Sequence, residues 1–302
     1  MPRRPLRIGL VASRLHRHGP NAALFRLLAP LDEALRDELK PELFVVGQTY
    51  DALAEARILN GYRGMHRLPA RRDGGLIHLV AGVVAEDPAK RLDAIVYLLD
   101  PDDPTSVFPE GQALKRECVI HEVPFVSTFA HAREWFELTC VAHGLPRDPA
   151  LDPWFDFGRQ TIALVAHDAR KDAMVAFLRD NFAFFDRFAG RIATGTTGGL
   201  LNALADEIGG AKRRGQWVRR FRSGPLGGDA EIALEMLDNR CQRIVFFEDP
   251  HVARQHEADI QLLERSARIA TERAMCVSDR ASAQAWVRGC ELRIPPVRRA
   301  NP

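Results

Sequence analysis

QRIVFFEDP at Gln242–Pro250 and DAIVYLLDP at Asp93–Pro101 repeat one another at an offset of 149 residues. Each is a short, β-branched apolar run that stops at an Asp-Pro, the pattern of a buried strand running into a turn. Three further matches follow in order. RIGLVAS (Arg7–Ser13) faces TIALVAH (Thr161–His167), and ELFVVGQTYDAL (Glu42–Leu53) faces GRIATGTTGGLL (Gly190–Leu201). VPFVSTFAHAREW (Val123–Trp135) faces AMCVSDRASAQAW (Ala274–Trp286) at an offset of 151. Ordered matches at near-constant spacing indicate an internal duplication. Between the strand-like runs lie helical patterns such as Asp172–Phe185, Ala230–Leu237 and Ala258–Arg273. Strands alternating with helices predict βαβ units, hence an α/β fold with two tandem three-layer domains built on parallel sheets. The proline-rich HGLPRDPALDPWFDFG reads as a linker at 143–158, dividing domain 1–142 from domain 159–302.

The whole-chain properties narrow the function. Of 302 residues, 46% are hydrophobic and 27% charged, an ordinary globular balance with room for two cores. A net charge of +2 gives no reason to expect a nucleic-acid partner. Five cysteines without a CxxC pair argue against a disulfide framework and a zinc site, and suggest a reducing compartment. The opening MPRRPLRIGLVAS is too short in its apolar run for a signal segment, and no later stretch is long enough to span a bilayer. The expectation is a cytoplasmic protein with no membrane partner.

In the second half every strand-like run ends in polar residues. They are His167-Asp168 with Lys171 following, Thr194-Gly195-Thr196-Thr197-Gly198-Gly199, Ser223-Gly224-Pro225-Leu226-Gly227-Gly228-Asp229, and Glu248-Asp249-Pro250 with His256 and Asp259 beyond. Glycines let a backbone converge its N–H groups, threonine hydroxyls add donors, and the following helix presents its positive end. With Lys171 as a point charge, this is a cradle for a phosphate dianion. Taken singly, each motif is commonplace: a strand-end histidine is usually structural, and Asp-Pro is usually a turn. Together they supply what enolisation of a phosphorylated ketone needs, a carboxylate to take a carbon-bound proton and a histidine to polarise the carbonyl. That chemistry requires no metal and no organic cofactor.

VAHDARK, ATGTTG, SGPLGGD and FFEDPHVARQHEAD resemble, in order and spacing, the signature segments of the methylglyoxal synthase family, from about Ile162 to Val297. The resemblance implies a flavodoxin-like fold, a homo-oligomer (usually a hexamer) and conversion of dihydroxyacetone phosphate to methylglyoxal and inorganic phosphate, the latter also a candidate inhibitor. It implies Asp229 as the base, His256 and His167 beside the substrate oxygens, and Asp249 and Asp259 as acids that shape the site. It further implies Lys171, Thr194, Gly195, Thr196, Thr197, Ser223 and Gly224 as phosphate-binding positions. Two departures stand out. Glu248 occupies a place more often aromatic in the family, and 206–222 is longer and more basic than usual, which reads most simply as a solvated loop.

The same residues are missing from the first half. Ser13 stands opposite His167, Gln48 and Thr49 lie in the region of Thr196 and Thr197, and counting back 149 from Asp229 reaches Val80 and from His256 reaches Val107. Only Asp100, opposite Asp249, and Glu110, opposite Asp259, keep their acids. The first half is therefore expected to be a silent copy. The alternative function is a regulatory protein that binds a phosphorylated metabolite with the same fold; such a sensor needs the cradle but has no use for Asp229.

Overall fold

The computed structural model describes residues 4–104, 108–210, 215–251 and 257–294, with the side chains of 225 and 257–261 excepted. The first half runs β1 (Arg7–Ala12), α1 (Arg14–Arg17), α2 (Ala23–Leu28), β2 (Glu42–Val46), α3 (Gly47–Glu55), β3 (Met65–Leu68), α4 (Gly75–Val83), β4 (Ala94–Leu98), α5 (Pro109–Ile120), β5 (Phe125–Val126) and α6 (Phe129–Ala142). The second runs β6 (Thr161–Ala166), α7 (Lys171–Asp180), α8 (Phe182–Phe185), β7 (Gly190–Ala193), α9 (Gly195–Gly209), β8 (Arg219–Arg220), α10 (Gly228–Leu237), β9 (Arg243–Phe247), α11 (Glu257–Ile269), β10 (Met275–Val277) and α12 (Arg280–Arg293).

Each half forms one five-stranded parallel sheet, with orders β3-β2-β1-β4-β5 and β10-β9-β6-β7-β8. Read from the third strand outward these are the same order, so the two sheets share one topology. The expected α/β class and parallel sheets are what the chain adopts. Both faces of each sheet are covered, which explains the unbroken apolar runs. Side chains alternate along a strand. Ile8, Leu10 and Ala12 of β1 therefore enter one core while Val11 enters another, and Ile162, Leu164 and Ala166 of β6 separate from Ala163 and Val165 in the same way.

Two local expectations change. The helical pattern at 172–185 is broken at Asn181, whose side chain donates to Phe177 O at 2.8 Å and to Gln284 Oε1 at 3.0 Å. The break turns Phe184 and Phe185 against Trp286, edge to face at 5.3 Å for Phe184. The described part of 206–222 is mostly exposed, as expected, but it is not a loop throughout. Helix α9 continues to Gly209, and Trp217 and Val218 are buried because Asn202 Oδ1 accepts both their N–H groups, at 2.8 and 2.9 Å. That anchor leads the chain into edge strand β8; residues 211–214 lie outside the described residues.

The halves meet through repeated segments. Strands β5 and β10 approach edge to edge, and α6 packs along α12. Thr128 and Asp279 cap these two helices from matching positions, and Thr128 Oγ1 also donates across the junction to Ala274 O at 2.7 Å. The segment at 143–158 packs too: Leu151, Phe155 and Phe157 join the core of the second half.

Candidate active site

The polar clusters of the second half all lie at the carboxyl ends of parallel strands β8, β7, β6 and β9, which are adjacent in that order. Ligands of open α/β sheets bind at such an edge. The sheet therefore gathers, from four separated stretches of chain, groups that could act on one molecule.

The threonine turn opens α9. Thr194 and Thr197 are buried, at 6% and 1% exposure, while Thr196 is exposed. Thr197 Oγ1 is buried with no hydrogen-bond partner among the described residues. A buried hydroxyl left unsatisfied is costly, so it suits a group that enters from outside. Gly195 N–H donates to Arg222 O at 2.8 Å, and a Cβ at Gly195 would come within 3.0 Å of Ser223 N. This close approach locks the threonine turn to the Ser223–Gly228 turn.

That second turn delivers Asp229. Gly227 closes it at φ +96°, a conformation that glycine adopts without strain, and Gly228 starts α10 with Asp229 in its first turn. Gly224 lies directly beneath the carboxylate: a Cβ there would stand 2.6 Å from Asp229 Oδ2. The structure thus brings together Thr194, Gly195, Thr197, Ser223, Gly224 and Asp229.

His167 approaches from β6. Its Nδ1 accepts the Asp249 N–H at 2.6 Å, so a neutral ring carries its proton on Nε2 and can offer it as a donor. Asp249 Oδ1 accepts His251 N–H at 3.1 Å and lies 3.8 Å from Arg170 Nη2. Lys171 pairs with the exposed Asp168 at the start of α7. His256 lies outside the described residues. Asp259 falls on α11, but its side chain is outside them as well.

The sequence reading missed two arginines. Arg220 donates from Nε to Gly195 O at 3.0 Å and lies across the first turn of α9, where a Cβ at Gly198 would meet its Cγ at 2.7 Å. This adds a cation beside the cradle. It stands in the basic run at 206–222, whose pattern reads as a solvated loop or as a rim that attracts an anion. Arg170, beside Asp249, was visible in VAHDARK but gave no sign of its partner.

Glu248, the departure next to Asp249, is explained by the first half. Lys115 of α5 reaches across to it, with Nζ 2.7 and 2.9 Å from the two carboxylate oxygens and 2.7 Å from Glu264 Oε1. Arg116 donates to Pro250 O at 3.2 Å. Burial pushes the Glu248 carboxyl up to about 7, against the pull of Lys115 and with the help of Glu264. Burial also opposes charge on Glu264, but Lys115 and Arg268 outweigh it and hold that carboxyl below its usual range.

No protein-family model matches the chain. Among curated proteins it is similar to the methylglyoxal synthase of Ralstonia nicotianae, 42% identical over 108 residues, which are 36% of this chain and 73% of that one. It is also similar to the methylglyoxal synthase of Cupriavidus taiwanensis, 38% identical over 128 residues, 42% of this chain and 87% of the other. A crystal structure of methylglyoxal synthase from Elizabethkingia anophelis matches at 31% identity and a TM-score of 0.34, over 43% of this chain and 78% of that one. A parallel sheet with glycine turns and helix N-termini at its carboxyl edge places the chain in the doubly wound α/β class. Within that class, the chain belongs to the methylglyoxal synthase family.

Proposed function

We propose that the second half, 159–302, converts dihydroxyacetone phosphate to methylglyoxal and inorganic phosphate, and that the first half, a diverged copy of the same domain, does not. The phosphate is held by the threonine turn, the Ser223–Gly224 turn and Lys171, with Arg220 adding charge. Asp229 removes a proton from the hydroxymethyl carbon beside the carbonyl, and the C–H electron pair becomes part of an enediolate. His167, through Nε2–H, and His256, assigned by family resemblance, donate to the oxygens on which charge develops. The enediolate then collapses, the C–O bond to phosphate breaks, and its electron pair leaves on phosphate. The released enol tautomerises to methylglyoxal, and the proton taken by Asp229 departs on the phosphate.

The observation that supports this reading most is the placement of Asp229 over Gly224, in a turn locked against Gly195. A protein that only sensed phosphate would gain nothing from an anionic carboxylate there. The test is the purified chain with dihydroxyacetone phosphate, following phosphate release and dicarbonyl formation together. Asp229→Asn is expected to lose roughly 10²–10⁴-fold in turnover, the usual worth of a positioned base, while still binding phosphate. Parent-like turnover in that variant would remove Asp229 from the role.

A further inference from the structure

The first half keeps the scaffold of this site and changes what lines it. Gly47 N–H donates to Pro69 O at 3.1 Å as Gly195 does to Arg222 O, and Gly75 N–H donates to Ala70 O at 3.0 Å as Gly228 does to Ser223 O. Gly74 has φ +90°, matching Gly227 at +96°. These bonds align the two turns residue by residue: Ala70 with Ser223, Arg71 with Gly224, and Leu76 with Asp229. The counterpart of the candidate base is thus Leu76 rather than the Val80 reached by counting back along the chain. The offset here is 153, because the first half has four more residues between this turn and its next strand.

The exchange is concerted. In the second half a side chain at 224 would strike the Asp229 carboxylate. In the first half the carboxylate is gone and a guanidinium takes the glycine's place. Arg17 follows Ser13 by the same four residues that separate Lys171 from His167. Arg17, Arg71 and Arg72, with Gln48 at the start of α3, line a cavity of about 440 Å³ together with Asp103 and Glu110, and Arg71 Nη1 lies 3.6 Å from Asp103 Oδ2. Burial, and next the charge of Arg71, lower the hold of Arg17 on its proton, while Asp103 opposes them. The Tyr97 hydroxyl and the Ser13 hydroxyl are buried with no hydrogen-bond partner among the described residues. The Arg71 guanidinium carbon lies 5.8 Å from the centroid of the Tyr97 ring.

We propose that this cavity of the first half is a second anion site, which binds the phosphate group of a small phosphate monoester and cannot turn it over. The lining sets three arginines against the carboxylates of Asp103 and Glu110 and so keeps an excess of positive charge; only the parallel with a phosphate cradle rests on the function proposed above. A volume of this size holds a phosphorylated small metabolite and exceeds what a bare phosphate fills.

The test is calorimetric titration of the full chain with glycerol 3-phosphate, which has no carbonyl to enolise, and with inorganic phosphate. The parent is expected to bind two equivalents of glycerol 3-phosphate. Arg17→Gln/Arg71→Gln and Lys171→Met should each lose one, a different one. Arg72→Glu, at an arginine whose side chain is 85% exposed and so tolerant of change, should weaken the first-half equivalent at least tenfold without unfolding the protein. Retention of every parent equivalent in both arginine variants would overturn the proposal, and so would a first-half site that takes inorganic phosphate but not the monoester. If the function proposed for the second half is what fails, the equivalent sensitive to Lys171 disappears while the one sensitive to the arginines remains.

Discussion

Replacing Lys115 by Met removes the one ammonium that separates two buried carboxylates. The side chains of Lys115, Glu248 and Glu264 are 16%, 9% and 7% exposed, and both acids approach Nζ to 2.7 Å. Breaking a buried ion pair from one side costs about 3–5 kcal/mol, because the partner's charge stays buried without compensation. Unfolding entropy near 2.1 cal/mol/K per residue over this chain converts that to a fall in midpoint of about 5–8 °C. The pH dependence has a definite sign. The folded-state value of Glu248, about 7, lies above its ordinary 4.5, so the folded protein holds a proton there that the unfolded chain releases. Stability from this group is full below 4.5 and declines as pH rises through 7. Without Lys115 the folded value rises further and the decline extends to higher pH, so the variant's deficit is largest near pH 9 and shrinks toward pH 6. Thermal unfolding at pH 6, 7.5 and 9 measures this. Adding Glu248→Gln to the variant removes one of the two facing charges and should restore much of the loss. A deficit under about 1 kcal/mol at pH 9, or one independent of pH, would refute the reasoning.

Gly224→Ala puts a methyl group where the Asp229 carboxylate rests, and a carboxylate at the end of its side chain can swing aside cheaply. Turnover of dihydroxyacetone phosphate is expected to fall at least tenfold with a midpoint within a few degrees of the parent. A fall in stability without loss of turnover would contradict the placement. All five cysteines are free and buried, and burial pushes the Cys140 thiol up to about 11 and the Cys241 thiol up to about 12. An aromatic disulfide reagent at pH 8 should therefore label essentially none in the folded chain and all five in urea.

What could be read from the sequence was whatever is encoded locally. Strand runs such as RIVFF at Arg243–Phe247 are continuous apolar stretches because both faces of the sheet are covered, and that signal needs no partner. The glycine turns were legible for the same reason: a positive φ at Gly227 and a close approach at Gly195 limit the residue type at the position itself. Pairings over long separations were not legible. Glu248 looked like an isolated departure because its partner Lys115 precedes it by 133 residues. Arg220 was hidden in a basic run because nothing in the sequence shows that Asn202 anchors Trp217 and turns that run into a strand. At the helix break, the bond from Asn181 to Gln284 spans 103 residues of chain.

These long-range pairs bear on the first half, which lacks a base yet is built into the second. Arg243 is 1% exposed and its guanidinium meets Glu134 of α6 at 2.6 Å; Arg293 is 2% exposed and meets Glu137 of the same helix at 2.7 Å. Glu134 also accepts from Trp286 Nε1 at 2.5 Å. Removing residues 1–142 would strip Arg243 and Glu248 of their ion-pair partners, leave Arg293 only Asp152 and Glu264 only Arg268, and uncover the face of α12 against which α6 packs. Each stranded buried charge costs about 3–5 kcal/mol, so two of them are comparable with the roughly 5–15 kcal/mol that holds a typical domain together. Because Asp249 N–H fixes the His167 ring, and Lys115 and Arg116 hold the residues on either side of Asp249, loss of α5 should also loosen the histidine. Residues 143–302 produced alone are therefore expected to aggregate, or to unfold at least ten degrees below the full chain, with kcat falling more than KM rises in whatever remains folded. An isolated second half with the parent's midpoint and kcat would show that these pairs are incidental, and that the first half is retained for its anion site alone.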